Sequence, residues 1–155
     1  MSQYKLKTKA LIFSEMLKIQ QALVQHFETS LGITEANIQL DEEAGFGGEA
    51  EARREASMEI LEAEAPHYEQ NVRDLRLLQN MVAQIEEATQ IAPGTVVMTD
   101  SLNFVIGVSM SAFNVENKPY IGISTHAPIY ASLVDKQIGD TVHLGKQTYL
   151  IEDIF

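Results

Sequence analysis

The sequence predicts an α+β protein, an N-terminal antiparallel coiled-coil hairpin followed by a small, mostly antiparallel β domain with one helix. Three observations carry this. Apolar residues recur in steps of four and three along two long runs, one within residues 6–31 and one from Leu61 to Ile85. Between the runs lies Leu40–Glu51, LDEEAGFGGEAE, whose three glycines interrupt helix and permit a chain reversal. Beyond Ala92-Pro93-Gly94 the helical spacing gives way to β-branched and alternating segments.

In the first run the stripe is Ile12, Met16, Ile19, Leu23, Phe27 and Leu31, and Gly32 supplies a helix stop. Residues 33–40 read equally as a short helical continuation capped by Thr34 or as loop. The second run starts near Glu49, where carboxylates suit the positive end of a helix. Its stripe is Leu61, Ala65, Tyr68, Val72, Leu75, Leu78, Val82 and Ile85, and Pro66 inside it is expected to kink or divide the helix. The hairpin thus occupies residues 1–92, with its acidic tip near 41–49, and the β domain occupies 93–155.

In the second domain Thr95–Thr99 reads as a strand, and Phe104, Ile106, Val108 and Met110 alternate along another. Glu116–Pro119 is a turn into a strand at Tyr120–Ser124. Ala127–Val134 is a short helix with Pro128 in its first turn. Gly139-Asp140 turns into Thr141–Leu144, and Gly145-Lys146 fits a two-residue hairpin returning as Gln147–Ile154.

Composition narrows the function classes. The 155 residues include no cysteine, so a disulfide framework and cysteine-ligated metal are excluded. The apolar run after Lys5, Lys7 and Lys9 ends at Ser14, and no run reaches the ~20 residues of a membrane span, so a cytoplasmic protein is expected. The net charge of −11 is concentrated: residues 1–40 carry +1, 41–70 carry −8, 71–92 carry −1 and 93–155 carry −3. A field of that sign repels a nucleic-acid backbone and favours cations or basic protein surfaces, so direct DNA binding is not expected. Gly45-Phe46-Gly47-Gly48 lacks the Lys-Ser/Thr ending of a phosphate loop, and His26, His67, His126 and His143 lack metal-ligand spacing. No Ser–His–Asp or Cys–His set can be assembled.

The run Ile123-Ser124-Thr125-His126-Ala127-Pro128-Ile129-Tyr130-Ala131-Ser132-Leu133-Val134-Asp135-Lys136-Gln137-Ile138-Gly139-Asp140-Thr141-Val142 resembles the signature of the bacterial Gre transcription elongation factors. In that family a strand ending Ile-Ser leads through a Ser-Pro turn into a helix, then Gly-Lys-Lys-x-Gly-Asp and a final hairpin. Pro128, Leu133, Lys136, Gly139, Asp140 and Val142 match, whereas Ala127 stands for the serine and Asp135 for the glycine. Gly94-Thr95-Val96-Val97 is similar to the family's first strand of this domain. The likeness covers about 93–155; over the N-terminal half it is one of architecture.

The resemblance implies an FKBP-like second domain that docks on RNA polymerase at the rim of the secondary channel, with the hairpin entering the channel. At the tip Asp41, Glu42 and Glu43 would help hold a Mg²⁺ shared with the polymerase, which cleaves its own backtracked transcript. His126, Ala127 and Pro128 would face the polymerase, and Phe46, an aromatic between glycines, is a further partner-contact candidate. No tightly bound cofactor and no catalysis by the protein itself are expected, and the chain is expected to be a monomer or weak oligomer. The family's tip pattern, Asp-Leu-Ser-Glu-Asn-x-Glu-Tyr, is replaced here by Asp41-Glu42-Glu43-Ala44-Gly45-Phe46-Gly47-Gly48-Glu49. The alternative is therefore a regulator of the same fold that occludes the channel, or competes with other channel factors, without cleavage. A peptidyl-prolyl isomerase would need an aromatic-lined pocket, against which stand the absence of Trp and thinly spread aromatics. A coiled-coil adaptor would self-associate through the stripe.

Overall fold

The structure, a computed structural model, describes residues 2–44 and 47–155, the side chains of Ser2, 33–35, 37, 38 and 41–44 excepted. The fold is α+β. Two long helices, α1 (Ser2–Ala44) and α2 (Gly48–Ala83), precede β1 (Val96–Thr99), β2 (Asn103–Gly107), β3 (Met110–Val115) and β4 (Lys118–Ser124). Helix α3 (Pro128–Leu133) and strands β5 (Thr141–Leu144) and β6 (Gln147–Ile154) complete the chain. By compactness the chain divides into Lys18–Arg76 on one hand and Met1–Leu17 with Leu77–Phe155 on the other. The helical base therefore belongs with the sheet.

Within the first unit the helices run antiparallel. Gln20 Nε2 donates to Asn71 O at 2.9 Å and to Asn71 Oδ1 at 3.0 Å, and Tyr68 Oη donates to Glu28 at 3.0 Å. Gln20 is only 2% exposed, so this polar pair is built into the seam. Three sequence expectations are corrected here. Helix α1 does not stop at Gly32 but runs through residues 33–40 to Ala44. A single mid-helix glycine costs only about 1 kcal/mol against alanine, and no proline follows it. Pro66 does not divide α2, which is one helix of 36 residues. The predicted stripe holds at Ile12 and Met16, both fully buried, but departs at Leu23, which is 38% exposed while Gln20 and Val24 are buried. Four–three spacing fits either face, and the bond to Asn71 selects this one.

Helix α2 ends at Ala83, before the predicted stop at Ala92-Pro93-Gly94. Residues 86–90, Glu-Glu-Ala-Thr-Gln, offer no apolar side chain larger than Ala88 to hold a helical face. Ile91 instead enters the sheet core, 3% exposed. The buried Lys9 ammonium donates to Glu86 O at 2.7 Å, and Thr95 Oγ1 donates to Ala92 O at 2.6 Å, so side chains supply the bonds that helix would have made.

The six strands are ordered β3-β4-β2-β1-β6-β5. All neighbours are antiparallel except β2 and β4, which run parallel from Asn103↔Tyr120 to Gly107↔Ser124. Strand β2 is buried at all five positions, so the predicted alternation is absent: a strand covered on both faces has no polar side. The core gathers Phe104, Ile106, Ile123, Leu133, Tyr149 and Ile151, with Phe104 and Tyr149 edge to face at 5.7 Å. Buried Asn103 accepts from Thr99 N–H at 2.8 Å and donates to Pro119 O at 3.1 Å, fixing the β1–β2 turn to β4.

The parallel pair demands an unusual connection. The chain leaves β2 at Gly107 and begins β3 at Met110 on the other side of β4, so Val108 and Ser109 must cross β4. They cross at Gly122, where an added Cβ would lie 2.2 Å from Val108 O and 2.8 Å from Met110 N. Gly107, at φ +147°, begins the crossing with the Met81 thioether packed where its Cβ would be. The β3–β4 turn holds positive φ at both Glu116 and Asn117, as a type I′ hairpin requires. At the β5–β6 turn only Gly145 does so, matching the predicted glycine-first hairpin.

Candidate partner-binding site

Two places were expected to meet a partner, the helix reversal in one unit and the turn into α3 in the other. The helix reversal comes first. Residues 41–43 fall in the last turn of α1, at the negative end of the helix dipole, and no basic residue lies in that turn. Helix α2 opens with Glu49 and Glu51 in its first turn, which its positive end favours. Gly47, at φ +132°, stands just before α2, and Gly47 O accepts from Glu51 N–H at 3.2 Å. Phe46 lies outside the described residues, as do the side chains of Asp41, Glu42 and Glu43. Among the described residues no group of three or more His, Cys, Asp or Glu could hold a metal ion.

The second place is the turn into α3. Strand β4 ends at Ser124, whose Oγ accepts from His126 N–H at 3.2 Å and whose carbonyl accepts from Ala127 N–H at 3.0 Å. Those bonds hold the turn closed and aim His126 outward. His126 and Pro128 are exposed, while Ala127 is half-buried against the sheet core. Pro128 takes the first helical position, where its missing N–H costs nothing. Ala127 is the N-cap, at φ −71° and ψ 141°, and makes no side-chain capping bond. Leu133, fully buried, nails the helix to the sheet.

Sequence reasoning missed the groove at the other end of α3. Residues 134–138 and 89–91 line a cleft of about 640 Å³, with Val134 38% and Ile138 59% exposed. The available signal was an apolar residue directly before the Gly139-Asp140 turn. It also missed the seam pair Gln20–Asn71, because a glutamine next to a hydrophobic stripe reads as solvated surface.

Among the described residues three groups have perturbed acidity, Lys9, Tyr68 and Tyr120. Lys9 is lowered, chiefly by burial, with Glu86 and then Glu87 opposing. Tyr68 is raised, first by its hydrogen bond to the Glu28 carboxylate, which favours the protonated phenol. Among the described residues no helix is long and apolar enough to cross a membrane. No family model, no curated protein and no solved structure matches the chain.

Proposed function

We propose that this protein is a cytoplasmic, Gre-like accessory factor that binds RNA polymerase at its secondary channel. An FKBP-like C-terminal domain docks through the turn at His126-Ala127-Pro128, and the hairpin carries Asp41, Glu42, Glu43 and Phe46 into the channel. The observation that carries the reading is the 123–142 run, whose Gre-like residues fall on a strand end, a proline-started helix and a glycine turn, with Gly139 at φ +94°. An antiparallel helix pair with an acid-rich reversal adds the second part that a channel factor needs.

The protein has no covalent chemistry of its own in this reading. Carboxylate oxygens are the donors that Mg²⁺ takes, and it needs only one or two from protein, so Asp41 with Glu42 or Glu43 suffices to share a polymerase-held ion. The second reading, a factor that occupies the channel without cleavage, is favoured by one specific feature. Cleavage demands fixed carboxylates, and the sequence next to Asp41, Glu42 and Glu43 places three glycines in four residues instead of the family's tip pattern.

Transcript cleavage by stalled, backtracked RNA polymerase of the source organism tests both. Shortened RNA that disappears when Asp41, Glu42 and Glu43 become Ala, with polymerase affinity kept, supports the cleavage factor. Binding without cleavage supports the regulator. Failure to bind polymerase overturns both readings.

A further inference from the structure

A cleft of about 260 Å³ lies where the first turns of α1 meet β4 and β6, and all its walls belong to the unit that contains the sheet. That is below the about 300–1,000 Å³ of a drug-sized ligand site and suits a single side chain. Two buried hydroxyl residues line it, Thr8 at 8% and Tyr120 at 1% exposure, and neither side chain makes a hydrogen bond. Among the described residues no fully enclosed side-chain oxygen or nitrogen lacks a partner. The Tyr120 hydroxyl must therefore open into the cleft it lines. A buried tyrosine whose hydroxyl opens into a cleft presents one donor and one acceptor to whatever enters it.

The charge of the walls says which ligand. Glu116, Glu152 and Asp153 face Lys5 and Lys118 across it, an excess of one negative charge in a chain of net −11. One cation is already seated: the Lys5 ammonium donates to Asp153 Oδ1 at 2.9 Å and lies 6.0 Å from the Phe155 ring centre. Asp153 is thereby committed, while Glu116 and Glu152 form no ion pair. The phenol of Tyr120 is held protonated by burial and by Glu116, and its ring is braced by stacking on Phe113 at 5.8 Å.

We propose that this cleft receives one arginine side chain of a partner protein, its guanidinium between the Glu116 and Glu152 carboxylates and the Tyr120 hydroxyl. Arginine suits the place better than lysine, since a planar fork engages carboxylates in pairs and stacks on aromatic rings. The surface lies apart from the α3 turn and does not depend on the polymerase reading.

The test is an amide-resolved NMR titration of the whole chain with the peptide acetyl-Gly-Arg-Gly-amide, its citrulline counterpart, free arginine and inorganic phosphate. Saturable shifts at Thr8, Met98, Tyr120 and Glu152 with the arginine peptide alone are expected, weakened about tenfold by Glu152→Gln, the loss of one charge-assisted hydrogen bond. Glu152 is exposed, so that variant folds as the parent does. An equal response to citrulline, shifts with phosphate instead, or no shift at all overturns the proposal. Free arginine binding as tightly as the peptide overturns the partner assignment in favour of a free amino acid.

Discussion

Replacing Gln20 and Asn71 by leucine, singly and together, asks whether the seam depends on its polar pair. One buried amide donates two bonds, at 2.9 and 3.0 Å, to the same partner residue. Only the Oδ1 bond depends on both side chains, since leucine at 71 keeps the backbone carbonyl, so at about 1 kcal/mol net for a bond the pair is coupled by about 1 kcal/mol. Gln20→Leu leaves Asn71 O and Oδ1 without that donor; because Asn71 is half-buried, water recovers part of the loss. Each single variant is therefore expected to lose about 1 kcal/mol, and the double variant to lose no more than either single one, since the bond they share is lost only once. Urea unfolding of the full chain, followed by helical circular dichroism at pH 7, supplies the four free energies. A coupling under about 0.5 kcal/mol, the scatter of independent sites, would refute the reasoning. The double variant should also lose specificity of register, seen as faster amide exchange along both helices or as new oligomers, because a buried polar pair penalises every other alignment.

Three further outcomes follow from single residues. Ala127→Ser gives α3 the side-chain cap it lacks and should raise stability by about 1 kcal/mol, measured by urea midpoint; no gain would mean that the serine hydroxyl cannot reach the free N–H groups. Gly122→Ala drives a Cβ to 2.2 Å from a backbone oxygen and should cost about 3 kcal/mol or more, so a thermal midpoint within a degree of the parent would contradict the crossing. Lys9 titrates below its usual value in the folded chain, so folding is penalised while the ammonium is charged and the penalty fades as pH rises from the lowered value toward 10.5. The stability of the parent relative to Lys9→Met should therefore climb through that alkaline window, and a flat or falling difference would show that Lys9 is not held against its charge.

How far the sequence could be read depended on whether the deciding contact was local. The turn at Glu116–Pro119, helix α3 behind Pro128 and the Gly145-Lys146 hairpin all rest on residues a few positions apart, and each was legible. The end of α1 was not, because one glycine weighs little against the many favourable residues around it. The face of the seam was ambiguous by one residue, since Ile19 with Leu23 and Gln20 with Val24 satisfy the same spacing; a partner 51 positions away decides between them. The parallel pairing of β2 with β4 leaves no local trace except Gly122. The cleft at Tyr120 draws its walls from residues 4–8, 98, 116–120 and 152–155, so no window along the chain contains it. The α3 turn was visible as a motif, and His126 and Pro128 are solvent-facing there.

The passage of Val108 and Ser109 over Gly122 also limits how the gene can be rearranged. A circular permutation that opened the chain between Gly107 and Met110 would release the strap that lets β2 lie beside β4, and the two strands would have to find each other as separate ends. Opening it at Gly145-Lys146 would sever only an exposed two-residue turn between strands that neighbour each other in the sheet. The sheet can therefore accept new termini or an inserted reporter at the far hairpin, and not at the strap.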